Sequence, residues 1–312
     1  MHPAIITGPG HRIAPHRTAS AARLPHRHPD VNPLRCAPRR TYGDAMIDTF
    51  LPRHAIVTAS DSGIGAATAI ALAHAGIEVG ITWHSDEEGA QRTADAVRAA
   101  GSRAVVAHFD ATYLRAVPAT IDALADELGG VDVFVNNAGG GGGIPFLDLS
   151  LDDWRQTVAL NLDGAFAGMQ AAARRMVAAG HGGRIIAITS VHEHQPRVGS
   201  AHYVAAKHGL GGLVKTMAQE LGAHGITVNA VAPGEIATPL NDMESEDAAR
   251  THRPGIPIPR PGTPEEIGAV VAFLASPAAG YVTGASWPVD GGMLTMGPQA
   301  GSHLESDAWR QG

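Results

Sequence analysis

Short apolar segments alternate with helical segments along most of this chain, and this alternation restricts the fold more than any single motif does. The first two apolar segments, HAIVT from His54 and IEVGITW from Ile77, are each followed by a stretch with helical spacing of apolar residues. The later strand-like segments read RAVVAHFD, VDVFVNNAG, GGRIIAITS, ITVNAVAPG and ASWPVDGG. Strands that alternate with helices predict a parallel sheet with right-handed crossovers and helices on both faces. The predicted fold class is therefore α/β.

A glycine-containing loop follows the first predicted strand. The stretch TASDSGIGAATAIALAHAG places Gly63 and Gly65 at the beginning of a long apolar helix. Backbone amides at a helix N-terminus can bind a pyrophosphate, and glycine lets the backbone approach it closely. The strand–loop–helix context predicts a dinucleotide site and a single domain with a Rossmann-type doubly wound sheet.

Local signals define several further elements. Ser85 is the expected N-cap of the second helix, and Pro118 lies near the first turn of the third. Residues 152–179 give one continuous helical pattern, whereas the five glycines at 139–143 must form a loop. Residues 235–262, rich in proline and acids, are typical of a long flexible excursion that covers a site.

The stretch SVHEHQPRVGSAHYVAAK carries the strongest chemical signal. Tyr203 and Lys207 are four residues apart in a predicted helix, so their side chains share one face. Ser190 ends a predicted strand, where parallel sheets contact ligands. A tyrosine that transfers protons near neutral pH needs a pKa well below its ordinary value of about 10, and a nearby ammonium can lower it. An isolated Tyr-x-x-x-Lys pattern favours a surface tyrosine and a solvated lysine, but its position beside a nucleotide-type loop favours a proton-transfer site.

The composition divides the chain. Residues 1–45 contain seven of the 21 prolines, are rich in arginine and lack lysine, so we expect a disordered or spurious extension with Met46 as the working start. An organelle-targeting arm is the alternative. The folded domain is expected over residues 46–297, with a loose tail at 298–312.

Charge and cysteine content exclude several classes of protein. The formal net charge is −7 although the N-terminal segment is basic, so the remainder is acidic and nucleic acid is not an expected partner. The sequence contains no run of about 18 apolar residues, so a membrane span is not predicted. The only cysteine, Cys36, lies in the N-terminal segment, which excludes an internal disulfide and a cysteine-based metal site in the domain. The expected location is the cytoplasm.

These motifs resemble the short-chain dehydrogenase/reductase family over about residues 54–292. The resemblance rests on the TASDSGIG loop, Asp110, NNAG at 136–139, Asn161, Ser190, Tyr203 with Lys207, Pro233-Gly234 and the DGG ending at 290–292. SVHE at 190–193 is also similar, more weakly, to the bacterial glucose 1-dehydrogenase group. The resemblance implies an NAD(P)(H)-dependent oxidoreductase that interconverts a secondary alcohol and a carbonyl.

The resemblance also implies residue roles. Tyr203 is the general acid/base, Ser190 orients the reacting oxygen, Lys207 lowers the tyrosine pKa and binds the nicotinamide ribose, and Asn161 distorts its helix and anchors a water. In addition to Tyr203 and Lys207, the residues assigned to the cofactor are Thr58, Ser60, Ser62, Gly63, Ile64, Gly65, His84, Ser85, Asp110, Ala111, Asn137, Ala138, Gly139, Pro233, Gly234, Ile236 and Thr238.

Two features concern the details of cofactor binding. The family loop usually opens with Thr-Gly, whereas this chain has Ala59, whose Cβ restricts the turn if its φ is positive. An acid at the end of strand two would accept from a ribose 2′-hydroxyl and repel a 2′-phosphate, but no acid occurs there before Asp86. Ser62 stands where NADP-preferring relatives often carry a basic residue. These signals conflict; the prediction is NADP(H), with NAD(H) as the alternative.

The substrate prediction rests on the residues after the serine. His192, Glu193 and His194 could hydrogen-bond the hydroxyls of a sugar or polyol; a surface loop, a subunit contact or a metal site are the alternatives. Pro196 stands where an H-E-x-x-H motif would need its second histidine, so no metal site is predicted. The alternative functions are a 3-oxoacyl thioester or other carbonyl reductase, a silent dinucleotide-binding module and, least favoured, a metal-dependent hydrolase. The resemblance further implies a homotetramer or homodimer, with the Asn161 and Tyr203 helices at one interface and the C-terminal segment at another.

Overall fold

The computed structural model describes residues 50–299 and Ser306, and they form one seven-stranded parallel sheet flanked by helices. The strand order is β3-β2-β1-β4-β5-β6-β7. The strands are β1 His54–Val57, β2 Glu78–Trp83, β3 Ala104–His108, β4 Val133–Asn136, β5 Gly183–Ile188, β6 Ile226–Pro233 and β7 Ser286–Val289. The sheet grows outward from β1 in one direction and from β4 in the other, so a crevice opens at the carboxyl ends of these two strands. This confirms the predicted doubly wound α/β fold.

Helices cover both faces of the sheet. They are α1 Gly63–His74, α2 Glu87–Ala99, α3 Val117–Leu128, α4 Leu151–Val158, α5 Gly164–Ala179, α6 Ala201–Leu221 and α7 Pro264–Ala275. Buried side chains of α1, α2 and α7 form one core with the sheet, and those of α3, α5 and α6 form the other. Pro118 lies in the first turn of α3, as predicted, because a proline there removes no intrahelical hydrogen bond.

The N-cap of α2 corrects one prediction. Asp86, not Ser85, is the capping residue, and its side chain accepts a hydrogen bond from Gly89 N at 2.8 Å. Both residue types cap helices well, so the sequence could not decide between neighbours. Ser85 is exposed at the end of β2.

The predicted continuous helix over 152–179 is interrupted. A π-helical turn, Ala159–Asp163, separates α4 from α5 and contains Asn161. A π turn accommodates an extra residue between two helical segments and often occurs at functional sites. The periodicity of apolar residues does not reveal it, because the polypeptide remains helical on both sides.

The segment between β6 and α7 is irregular, as predicted, but it makes defined contacts. Two short 3₁₀ turns occur at Pro239–Asn241 and Ser245–Asp247, and Ile236 forms an isolated parallel bridge with Gly262. The Arg253 guanidinium contacts Glu235 at 2.6 to 2.9 Å.

Several predictions concern residues outside the part of the chain that the structure describes. These are the N-terminal extension over 1–45, the start at Met46 and most of the tail at 298–312. Within the described residues, no helix is both long enough and apolar enough to cross a membrane. The same residues contain no group of three or more His, Cys, Asp or Glu side chains that could hold a metal ion.

Candidate active site

The loop between β1 and α1 is tightly folded around Ala59. Ala59 has a φ of 49°, in the left-handed region that a Cβ disfavours. Its amide donates to Thr82 Oγ1 at 2.9 Å, and a Cβ on Gly65 would overlap its carbonyl oxygen. The loop therefore adopts the positive φ that its Thr-Ala sequence makes unfavourable, and Gly65 is required for the close approach of α1.

The N-terminus of α1 is open toward the crevice. Ser62 is the N-cap but its side chain makes no capping hydrogen bond, so the first amides of the helix remain available to an anion. Gly63 has a φ of 51°, and a Cβ there would lie 3.2 Å from the Thr238 methyl group. Thr238 therefore lies opposite the glycine loop. Because residue 63 is a glycine, no side chain at this position fills the space between the loop and Thr238.

The glycine loop is fastened to the end of β4. Thr58 Oγ1 accepts hydrogen bonds from Asn137 N and Ala138 N, both at 2.9 Å. The Asn137 side-chain amide donates in return to the carbonyls of Thr58 and Ala59, at 3.1 and 2.8 Å. Ser60 is fully buried and bonds Val57 O at 2.8 Å. These side chains hydrogen-bond the backbone and so fix the shape of the loops that border the crevice.

Charged and aromatic groups gather at the ends of β2 and β3. The exposed rings of His84 and His108 lie with centroids 5.9 Å apart. Asp110 Oδ1 accepts from Thr112 Oγ1 at 2.6 Å, and this hydrogen bond lowers the pKa of Asp110 below its ordinary value. Burial raises the pKa of Asp61, in the glycine loop. Carboxylates and imidazoles thus occur together at this edge of the sheet.

Asn161 holds the glycine-rich loop after β4. Its amide nitrogen donates to Gly140 O at 2.7 Å and to Thr157 O at 2.9 Å, while its Oδ1 accepts from Gly140 N at 3.0 Å. A Cβ on Gly139 would lie 2.7 Å from Asn161 Oδ1 and 3.1 Å from Lys207 Nζ. The π turn therefore brings Asn161, Gly139 and Lys207 together.

Ser190 and Tyr203 lie side by side. A hydrogen bond with Ser190 lowers the pKa of Tyr203, although burial has the larger effect and raises it above the ordinary value. The His192 ring stands edge-on to the Tyr203 ring, with centroids 6.3 Å apart. Burial lowers the pKa of His192, and its Nδ1 contacts Gln195 O at 3.0 Å.

Lys207 is buried beneath this pair. Its ammonium donates to Ile188 O at 3.1 Å and lies 5.5 Å from the centroid of the Tyr203 ring. Only 3% of the residue is exposed, and burial lowers the pKa of Lys207 to about 8. An amine with this pKa changes its charge within the range in which a tyrosine-based proton transfer would operate.

Two predicted substrate ligands point elsewhere. Glu193 is 6% exposed, and its carboxylate accepts from Ser286 Oγ on β7 at 3.0 Å. His194 Nε2 contacts the same hydroxyl at 3.0 Å. The prediction that Glu193 binds substrate hydroxyls is therefore corrected, because its carboxylate is enclosed by protein. Of the three residues, His192 faces Tyr203.

The other predicted cofactor residues line the same edge of the sheet. Ala111 and Ala138 are buried beside the crevice, and Gly164 of α5 packs closely against the Ala111 carbonyl. Gly234 follows β6, where a Cβ would lie 2.8 Å from Asp290 Cα. Ile64, Pro233 and Ile236 lie at the start of α1, the end of β6 and the bridge to Gly262, respectively.

Sequence reasoning missed residues that support the site from behind. Thr82 fixes Ala59, Thr112 fixes Asp110, and Ser286 anchors Glu193. Thr112 is the one with a sequence signal, because Asp-x-Thr is a common local hydrogen-bonded turn. The other two contacts join residues distant in sequence.

Comparison with known proteins gives matches over nearly the whole described chain. A family model described as enoyl-(acyl carrier protein) reductase matches residues 58–294. The uncharacterized oxidoreductase YohF of Escherichia coli (strain K12) is 51% identical over 245 residues, which cover 78% of this chain and 97% of that protein. Glucose 1-dehydrogenase 2 of Bacillus subtilis (strain 168) is 37% identical over 251 residues, covering 80% and 97%.

Two solved structures are similar in both sequence and fold. The acetoin dehydrogenase YohF from Salmonella typhimurium is 52% identical with a TM-score of 0.77, covering 80% of this chain and 99% of that one. The acetoin dehydrogenase from Enterobacter cloacae is 51% identical with a TM-score of 0.75 and the same coverage.

Proposed function

Since this chain belongs to the short-chain dehydrogenase/reductase family, we propose that Tyr203, Ser190, Lys207 and Asn161 form its catalytic site. The chain is an NAD(P)-dependent oxidoreductase acting on alcohol donors, and the relatives reported above are named oxidoreductases or dehydrogenases. The nicotinamide supplies or accepts the hydride when it is bound. The protein must therefore move one proton and stabilise one developing alkoxide.

The positions of the groups around Tyr203 support the roles that we assign to the four catalytic residues. The Tyr203 hydroxyl gives or takes the proton of the substrate oxygen, and the adjacent Ser190 hydroxyl holds that oxygen by a hydrogen bond. Lys207 supplies a positive charge beneath the tyrosine, which favours the phenolate. Asn161 keeps the loop at Gly139 and Gly140 in place beside the lysine.

The residues at the crevice fit a dinucleotide. The open amides of α1 and the positive φ of Gly63 suit a pyrophosphate, since a Cβ at Gly63 would approach Thr238. The absence of a side chain at Gly139 leaves room beside Lys207 and Asn161. Asp110 is positioned for the adenine end.

The proposed preference is for NADP(H), with NAD(H) also used. Asp86 is the first acid after β2, and its carboxylate is engaged by Gly89 N and by Arg92 at 3.2 Å. Exposed His84 is a donor for a 2′-phosphate, but Asp61 and Asp110 keep the local field from being strongly positive. We expect less than about a tenfold preference, and a larger preference for NADH would contradict the proposal.

The proposed substrate class is a small α-hydroxyketone or its diol, of the acetoin type. Two structures named acetoin dehydrogenase share about half of their residues with this chain over nearly their full length. His192 supplies a structural reason, because its Nδ1 faces a carbonyl and so carries the proton when the ring is neutral. Its Nε2 is then an acceptor for the hydroxyl next to the reacting carbon.

A sugar is the second candidate. The same His192 acceptor suits a vicinal sugar hydroxyl, and glucose 1-dehydrogenase 2 of B. subtilis is a relative at 37% identity. The lower identity makes this the weaker proposal.

A substrate panel with both cofactors tests these proposals. Acetoin, 2,3-butanediol, glucose and a 3-oxoacyl thioester would each be assayed with the matching oxidised or reduced cofactor by nicotinamide absorbance. We expect kcat/KM to be highest for acetoin or the diol. Turnover of glucose or of the thioester with a higher kcat/KM would overturn the substrate proposal while leaving the reaction class intact.

A homo-oligomer remains part of the proposal. Large apolar side chains are exposed on α4 and α5, and others on α7 and next to β7; they are Leu151, Phe166, Phe273 and Tyr281. The first of these regions, α4 and α5, flanks the turn that carries Asn161, where the resemblance predicts a subunit contact. Light scattering after size exclusion would reveal the state, and a monomer at micromolar concentration would contradict it.

A further inference from the structure

A buried carboxylate lies behind the proposed catalytic site. Glu193 follows Ser190 in a 3₁₀ turn, Val191–Glu193, whose first amides are held by the serine: Ser190 Oγ accepts from His192 N at 3.1 Å and Ser190 O from Glu193 N at 2.8 Å. The Glu193 side chain is 3% exposed. The turn therefore directs a carboxylate inward from the residue that would bind the substrate oxygen.

One carboxylate oxygen is anchored and the other is not. Oε2 accepts from Ser286 Oγ at 3.0 Å, and His194 Nε2 lies 3.8 Å from it. Oε1 is buried without a hydrogen-bond partner. A nearby positive charge can stabilise such a buried carboxylate oxygen without direct contact.

The positive charge lies on the helix that Glu193 packs against. Its Oε1 occupies the place where a Cβ of Gly211 would be, and Gly211 lies one helical turn after Lys207 on α6. The Glu193 charge raises the pKa of Lys207 and so opposes the larger lowering by burial. Only glycine at 211 allows the carboxylate this position.

Few ionisable groups lie near Glu193 and Lys207 on the elements packed against them. On α6, Tyr203 lies beside Lys207, His202 is buried, and His208 is exposed and bonded to Val204 O. The turn after β5 carries His192, which faces Tyr203, and His194. The elements β7 and the π turn contribute the uncharged Ser286 and Asn161.

We propose that Glu193 is a positioning residue, a carboxylate anchored by Ser286 that maintains the charged form of Lys207 from behind the site. This inference rests on the proposed function, in which Lys207 must be an ammonium to favour the Tyr203 phenolate. Glu193 touches neither substrate nor cofactor. It couples the edge strand β7 to the catalytic lysine.

The chain offers an unusually direct test, because its sequence contains only two lysines, Lys207 and the exposed Lys215. Lysine labelled with ¹³C at the ε-carbon would give two signals, and each can be titrated by NMR in the full-length protein. In Glu193→Gln, we expect the midpoint of Lys207 to move down by at least about half a pH unit, a roughly threefold change in proton affinity. Lys215 is the internal reference, and Glu220→Gln, on the exposed side of α6, is the matched control.

A folded Glu193→Gln protein with an unchanged Lys207 midpoint would overturn the inference. If that variant does not fold, Ser286→Ala loosens the same carboxylate at the edge strand; a smaller downward shift is expected, and an unchanged midpoint would again refute the coupling. The alkaline limb of the kcat/KM profile for alcohol oxidation should move down in parallel. The titration needs no turnover, so a Lys207 midpoint that shifts in Glu193→Gln, together with a wild type that turns over no alcohol or carbonyl, would refute the proposed function alone. An active wild-type enzyme whose Lys207 midpoint is unchanged by Glu193→Gln would refute only the role of Glu193.

Discussion

At the scale of single residues, Ala59 has an unfavourable backbone conformation in the loop between β1 and α1, which we propose to bind the cofactor. Its φ of 49° costs an L-residue about 1–2 kcal/mol, whereas glycine adopts it freely. Allowing for the greater entropy of an unfolded glycine, Ala59→Gly should stabilise the protein by about 0.5–1 kcal/mol. Thermal unfolding would measure a rise of about 1–4 °C.

The control for this change is Ala96→Gly in the middle of α2, which should destabilise by about 1 kcal/mol because glycine loses more backbone entropy than alanine when it enters a helix. A fall in the unfolding temperature of Ala59→Gly similar to that of the control would show that the loop is not strained at Ala59.

His192 is the residue expected to distinguish substrates. His192→Ala should raise KM for acetoin and 2,3-butanediol but leave KM for 2-butanol nearly unchanged, because only the former carry a second oxygen next to the reacting carbon. Losing one neutral hydrogen bond corresponds to about 0.5–1.5 kcal/mol, or roughly two- to tenfold. An equal effect on all three substrates would remove His192 from the substrate site.

The sequence predicted the position of single residues correctly where the spacing along a helix determines the side to which a side chain points. Tyr203 and Lys207 face the same side of α6 because four residues make about one helical turn. The direction of Glu193 could not be predicted, since it depends on space left by Gly211 and on Ser286, which is distant in sequence. The positive φ of Ala59 was recognised only as one of two alternatives.

At the scale of elements, the π turn at Ala159–Asp163 connects helix geometry with the site. Asn161→Ala should leave both polar groups of Gly140 without this partner, lowering the free energy of unfolding by about 2–4 kcal/mol, and should reduce kcat because the glycine loop is released. Chemical denaturation and steady-state kinetics would measure the two effects.

The exposed Arg174 on α5 provides the comparison for that variant. Arg174→Ala should change neither quantity appreciably. If Asn161→Ala were as stable and as active as Arg174→Ala, the π turn would have no part in the site.

The ends of helices and strands could be predicted only where the local sequence contains a signal for them. The strands were placed correctly to within about three residues because β-branched residues are enriched in them. The break in the helix over 152–179 was not visible in the pattern, although the resemblance implied that Asn161 distorts it. Its physical cause is a contact with Gly140, which lies on another segment.

At the scale of the whole molecule, the buried Lys207 links stability to pH. Its pKa is about 8 in the folded protein and about 10.4 in an unfolded chain, so the unfolded state binds more protons between these values. The free energy of unfolding of the wild type should therefore rise relative to Lys207→Met between pH 8 and 10, by on the order of 2–3 kcal/mol.

Denaturant titrations of both proteins at pH 7, 8, 9 and 10 would measure this difference. A constant difference across the range would mean that Lys207 keeps an ordinary pKa and is not an amine tuned by burial. The buried charge that the proposed mechanism requires thus reduces the stability of the fold, by its full amount below pH 8.

The measurement that tests the central claim most directly is the activity of Tyr203→Phe with its best substrate and both cofactors. The account predicts a loss of about 10²–10⁴-fold in kcat, with nicotinamide binding and the unfolding temperature nearly unchanged, because only the proton-carrying hydroxyl is removed. A variant that keeps its turnover within a few-fold of the wild type would contradict the account. A wild type that binds the cofactor but turns over no alcohol or carbonyl would point instead to a dinucleotide-binding module.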